Sequence, residues 1–183
     1  MDIVLDIPIN GLSFGNVSYN ILRQFWRKGV NVHIYPYREQ FQVETYDKME
    51  DEFNKWIVDR ANNSNKFIKN EMPTFKLWHL NGSHQRCTKN QILYTFYELD
   101  EPTEEEINLA NFQDKIYFSS SYAANTFKKH GVDADFLPVG FDEDFHKTNK
   151  QYLNPDIVHF GLMGKFEKRK HTEKIIKLWL SKY

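Results

Sequence analysis

Two carboxylates, Glu98 and Asp100, follow the run Ile-Leu-Tyr-Thr-Phe-Tyr at residues 92–97. A near-continuous apolar run of this length is expected of a central strand buried on both faces. Acids just past its end would stand in a strand-end crevice, where a carboxylate can move a proton or steady a developing positive charge. Strand-end positions are also expected for Ser119, Ser120 and Ser121, and for Gly140 in Leu-Pro-Val-Gly-Phe-Asp. Gly11 and Gly15 lie between the first apolar run and the first helix. Glycine there lets a ligand approach the backbone, and the N–H groups of a helix start favour anions or hydroxyls; taken alone, the loop fits a tight turn with no ligand better than a binding loop. Lys165, Arg169 and Lys170 form a basic turn suited either to a phosphate or to plain solvation. His79 and His84 have no carboxylate or cysteine close by, and read as ordinary turn histidines rather than metal ligands.

The elements that would position these groups alternate along the chain. Residues 2–8 read as a strand, Val17, Ile21, Leu22 and Phe25 as the apolar face of a helix stopped by Gly29, and residues 31–37 as a second strand. The right-handed crossover rule puts both strands in one parallel sheet. Residues 47–60, with Met49, Phe53, Trp56 and Ile57 on one side, predict an amphipathic helix, followed by a polar break at 62–65 and a strand at 74–80. Thr103 and Glu106 form a capping box, which explains Glu104 to Glu106 as helix-start acids but leaves Glu98 and Asp100 unexplained. A strand at 115–119, a helix capped by Ser120 or Ser121 and closed by Gly131, and a strand at 135–139 complete the unit. The expected fold is α/β, a Rossmann-like parallel sheet with helices on both faces, over residues 1–146. Residues 147–155 read as a polar connector, and 156–183 as a strand at 157–163, the basic turn and a helix at 172–180, the start of an incomplete second unit. In such folds chemistry collects beyond the carboxyl ends of the strands.

Composition excludes several classes. Twenty-four Lys and Arg against 25 Asp and Glu give no electrostatic footprint for nucleic acid. The single cysteine, Cys87, rules out an internal disulfide and a cysteine metal cluster, and points to a reducing, cytoplasmic setting. No apolar run approaches a membrane span. The Gly-x-Gly-x-x-Gly and phosphate-loop motifs are absent, which weakens a one-domain nucleotide enzyme.

Four stretches resemble the amino-terminal half of retaining glycosyltransferases of the GT-B fold, family 4 in particular. They are Gly-Asn-Val-Ser-Tyr-Asn-Ile-Leu-Arg-Gln-Phe-Trp-Arg-Lys-Gly, Tyr-Glu-Leu-Asp-Glu-Pro, Phe-Ser-Ser-Ser-Tyr to Leu-Pro-Val-Gly-Phe-Asp-Glu-Asp-Phe, and Phe-Gly-Leu-Met-Gly-Lys-Phe-Glu-Lys-Arg-Lys. The third is the most specific, combining a serine strand end, a helix closed by Gly and a Pro-x-Gly-x-Asp hinge. Where many relatives have a histidine, Tyr97-Glu98 looks like the subset with Glu-x-Asp. The resemblance implies a nucleotide-sugar donor, a sugar or glycan acceptor and no metal or other cofactor. It implies Gly15 and Asn16 at the acceptor cleft, with Ser120 and Gly140 at neighbouring strand ends, and Lys165, Arg169 and Lys170 at the donor diphosphate. Glu98 and Asp100 become the candidate catalytic acids, facing a sugar hydroxyl or the anomeric carbon. The chain matches about half of such an enzyme, so the 183 residues alone are expected to be inactive. A non-catalytic Rossmann-like binding module is the alternative. The apolar residues of 156–183 are expected to be covered by the first domain or by a second copy in a homodimer.

Overall fold

The computed structural model describes residues 2–46, 50–141, 149, 151 and 153–182. The chain divides into two compact units, Met1–Asp142 and Glu143–Tyr183. In the first, the elements run β1 (Ile3–Ile9), α1 (Ser13–Arg27), β2 (Val32–Phe41), α2 (Asp51–Asn62), α3 (Ser64–Phe67), β3 (Pro73–Leu77), β4 (Asn90–Thr95), α4 (Glu104–Asn111), β5 (Lys115–Phe118), α5 (Ser121–Lys129) and β6 (Ala134–Phe136). The six strands form one sheet in the order β2-β1-β3-β4-β5-β6, every pair parallel. This is the expected Rossmann-like α/β architecture.

The pleat decides which helices go where. Side chains alternate between faces along a strand, and the register aligns Leu5 with Phe75 and Phe75 with Ile92, leaving Leu93 on the other face. Leu5, Ile7 and Ile9 pack with Leu22 of α1 and with Phe53 and Ile57 of α2 in one core. Leu93, Ile116, Phe118 and Ala134 pack on the opposite face with Ala110 of α4 and Ala123, Ala124 and Phe127 of α5 in another. Each fully buried aliphatic or Phe side chain in these cores is worth about 1.5–3 kcal/mol of transfer free energy.

Local chemistry sets the helix ends. Thr103 Oγ1 accepts from Glu106 N while Glu106 Oε2 accepts from Thr103 N, closing the capping box on α4. Ser120, rather than Ser121, caps α5, accepting from Ala123 N at 3.0 Å. Gly29 and Gly131 stop α1 and α5 with φ of 62° and 82°, a conformation open to glycine at no steric cost.

Two expectations shift. The helix predicted from residue 47 begins at Asp51, and Met49 lies outside the described residues. The polar break holds a short helix, α3. Between β3 and β4 no helix forms, and residues 78–89 cross the sheet as irregular chain.

That crossing covers a polar layer on the face it spans. Thr74 and Thr88 hydroxyls lie 2.8 Å apart, and Gln91 Nε2 donates to Ser83 O and to Gln113 Oε1, each at 2.7 Å. Lys76 Nζ donates to Asp6 Oδ2 on the adjacent strand and to Gln85 O. Burial holds the Asp6 carboxyl above its usual range although the Lys76 charge pulls the other way. Arg86 fastens the outer end, donating to Lys89 O and Asp114 Oδ2 at 2.8 Å and to Phe112 O. Most of the layer's polar groups are paired in this way, which limits the cost of burying them, while Asp6 Oδ1 and Gln91 Oε1 are buried with no hydrogen-bond partner.

In the second unit, residues 157–163 are not in a strand, against expectation. An apolar run becomes a strand only where neighbours take up its N–H and C=O groups, and among the described residues of this unit no such neighbour exists. The expected helix is present as α6 (Thr172–Lys182), preceded by a 3-10 turn at Lys168–Lys170. Of the predicted connector, residues 147, 148, 150 and 152 lie outside the described residues.

Candidate functional site at the carboxyl edge

Because all strands are parallel, the β1–α1 loop, the loop after β3, and Glu98 and Asp100 after β4 share the carboxyl edge of the sheet. Gly15 and Glu98 therefore follow the same edge. The glycines of the first loop, however, are occupied by the chain itself. A Cβ on Gly15 would stand 1.9 Å from the Asn10 backbone oxygen, and one on Gly11 would meet Thr45 Cβ at 3.3 Å. Tyr46 Oη donates to Gly15 O at 2.7 Å, and burial pushes that phenol up. Gly15 is thus buried by packing, and Asn16 beside it is exposed. Asn10 Oδ1 accepts from Leu12 N at 2.9 Å, while Leu12, the residue before α1, gives the helix no side-chain cap.

Past β4 the chain divides its side chains between fold and solvent. Tyr97 turns onto Phe127, ring centroids 4.9 Å apart, and its hydroxyl donates to Glu106 Oε2 at 3.1 Å. Burial, with the Glu106 charge, raises that phenol to about 12. Glu98 and Asp100 are exposed. Asp100 Oδ1 accepts from Tyr122 Oη at 3.0 Å, tying the segment after β4 to the first turn of α5, and this bond raises the Tyr122 phenol. Ser120 uses its hydroxyl as the α5 cap, so it reaches a ligand only while holding that bond. Gly140 is exposed, with no atom within 4 Å of where a Cβ would sit. The arrangement offers two solvent-facing carboxylates, one oriented by a phenol, above a buried strand.

Sequence reasoning passed over the aromatic group at the same edge. Phe14, in the first turn of α1, contacts Phe96 after β4 and Trp78 and His79 after β3, at centroid separations of 5.0, 5.6 and 4.6 Å. The signal was present as Trp-His at a strand end and Phe inside the glycine loop, but only the sheet order brings the three segments together.

In the second unit Lys165, Arg169 and Lys170 are exposed. Arg169 Nε donates to Glu167 Oε2 at 2.8 Å, and the Lys170 amino group folds to 3.0 Å from the Cβ position of Gly164. Gly164 at φ 125° and His171 at φ 51° make the turn tight enough to gather these cations.

His79 and His84 are both exposed, and among the described residues no group of three His, Cys, Asp or Glu is placed to hold a metal ion. No described helix is long and apolar enough to cross a membrane. No protein-family model, curated protein or solved structure matches the chain.

Proposed function

We propose that this chain is the acceptor-side half of a retaining, family 4-like GT-B glycosyltransferase, joined to the first part of a donor-binding domain and acting in the cytoplasm. The observation that carries the reading is the set of exposed acids, Glu98 and Asp100, held at the carboxyl edge of a six-stranded parallel sheet beside the β1–α1 loop. Glu98 would face a sugar hydroxyl or the anomeric carbon, with Asp100 oriented by Tyr122. Lys165, Arg169 and Lys170 would neutralise the diphosphate of a nucleotide-sugar, Arg169 by its planar fork and the lysines as point charges. Two cations suffice for a diphosphate leaving group, so no metal is called for.

Titration calorimetry with uridine, guanosine and adenosine diphosphate sugars tests the donor side. We expect weak binding that falls several-fold in Arg169→Ala and with added salt, and no turnover by these 183 residues alone. Measurable sugar transfer would overturn the half-enzyme reading. Absence of binding by every nucleotide-sugar would favour the non-catalytic module, a reading already supported by the lack of a strand at residues 157–163.

The apolar surface of the second unit adds a partner. Val158, Met163, Phe166, Leu178 and Leu180 are all exposed, Met163 by 93%, and so many apolar side chains in water call for cover. We infer a homodimer through residues 156–183. Light scattering should show its loss in a chain ending before Asn154; a monomer in both cases, or a dimer in both, sinks the inference.

A further inference from the structure

We propose that Trp78, buttressed by Phe14 and His79, is the stacking platform for a neutral pyranose ring of the acceptor, an inference that rests on the glycosyl-transfer reading above.

The placement of the ring is unusual for this molecule. Trp26 stacks on Phe53 at 5.1 Å and Trp56 on Phe53 at 6.1 Å, and both pack onto the first core. Trp78 is half-buried at the strand end, where it meets Phe14 at the margin of the first core. It is nonetheless fixed: its backbone N–H donates to Tyr94 O at 3.3 Å, extending the β3–β4 ladder one residue past β3. Its ring meets His79 at 5.4 Å and 79° and Phe14 at 5.6 Å and 42°. Phe14 is held in turn by Phe96 edge-on at 5.0 Å. A half-buried indole, locked by its own ladder bond and two neighbouring rings, offers a rigid apolar surface at little entropic cost.

The rim around this surface selects the ligand. A pyranose presents an apolar C–H face and an equatorial ring of hydroxyls, so it needs an aromatic surface with donors and acceptors around it. Exposed Glu98 stands two residues past Phe96, and exposed His79 adjoins Trp78. A carboxylate and an imidazole match hydroxyls. The three strand-end segments, residues 10–16, 78–84 and 96–101, contain no Lys or Arg and carry Glu98, Asp100 and Glu101. That charge pattern disfavours a phosphate or a nucleotide on the platform and leaves a neutral sugar ring as the fitting occupant.

The test follows the Trp78 indole N–H signal in 1H–15N spectra of the whole chain, assigned by Trp78→Phe, during titration with methyl glucosides, galactosides and mannosides and with their disaccharides. At least one saccharide should shift that signal saturably, with binding weakened tenfold or more in Trp78→Ala and less in Trp78→Phe. Saccharides that bind without moving the Trp78 signal, or a full set that leaves it unmoved at 50-fold excess over protein, overturn the platform. A uridine diphosphate sugar titrated in parallel separates the two readings. Donor binding with a silent Trp78 defeats the platform alone, whereas a responsive Trp78 with no donor binding supports the platform and counts against glycosyl transfer.

Discussion

Lys76 Nζ lies 2.6 Å from Asp6 Oδ2 across neighbouring strands, with the two side chains only 1% and 3% exposed. Each charge is tolerable in the interior because the other is there. Lys76→Met or Asp6→Leu alone should therefore destabilise the fold by about 3–5 kcal/mol, through the charge left behind. The double substitution should cost clearly less than the sum. Urea unfolding of the four proteins in a double-mutant cycle measures the difference; strictly additive losses would mean that the pair does not act as a unit.

Cys87 sits beside the same carboxylate. Burial, reinforced by the Asp6 charge, raises its thiol from an ordinary value of 9.0 to about 12. The folded protein should accordingly react slowly with iodoacetamide at pH 8, and the urea-unfolded chain rapidly. The pH dependence has a definite sign. Above pH 9 the unfolded thiol gives up its proton while the folded one keeps it, so stability should fall as pH rises from about 9 to about 12. Cys87→Ala should remove that part of the alkaline loss, which thermal melts across the window would reveal.

The glycines separate packing from openness. Gly15→Ala forces a methyl against the Asn10 carbonyl 1.9 Å away and should cost about 1–3 kcal/mol. Gly140→Ala meets nothing within 4 Å and should stay within about 0.5 kcal/mol of the parent. Equal losses at the two positions in urea titrations would contradict this account.

Two helix caps make a matched pair. Thr103→Ala and Ser120→Ala should each cost about 1 kcal/mol by exposing unpaired N–H groups at a helix start. Both caps stand at the carboxyl edge, after β4 and after β5, but only the Ser120 hydroxyl is assigned to the ligand, so Ser120→Ala should change ligand affinity more than Thr103→Ala. Calorimetry on both variants, alongside their unfolding midpoints, distinguishes a cap from a cap that also binds.

The features legible in the sequence are those decided within a few residues. The α4 capping box, the Ser120 cap and the left-handed glycines at 29 and 131 depend on neighbours along the chain. Burial of Leu93 and Tyr94 follows from an apolar run long enough for a central strand. The Asp6–Lys76 pair was hidden because it exists only once β1 and β3 are adjacent, a contact between residues 70 apart. The meeting of Phe14 with Trp78 and Phe96 was hidden for the same reason. Residues 157–163 misled in the opposite sense: their composition suits a strand, but a strand is a relationship with its neighbours rather than a property of seven residues. Ser64–Phe67 was passed over because Ser-Asn-Lys-Phe has loop composition and becomes helical by continuing from α2.

The two cores on opposite faces are also consecutive in the chain. Of the buried residues in the first, all but Tyr94 precede residue 78, and every buried residue of the second lies between Leu80 and Ala134. Beyond β3, each new strand pairs with the one before it: β4 on β3, β5 on β4, β6 on β5. The molecule is thereby suited to assembly in the order in which it is made. Once β4 has emerged from the ribosome and supplied Tyr94, the amino-terminal core can close, and each later strand then docks onto an edge already waiting for it. Arrest of synthesis once β4 has cleared the ribosomal exit tunnel should leave a nascent chain whose first core resists protease, with the carboxyl-side strands added to it as elongation resumes.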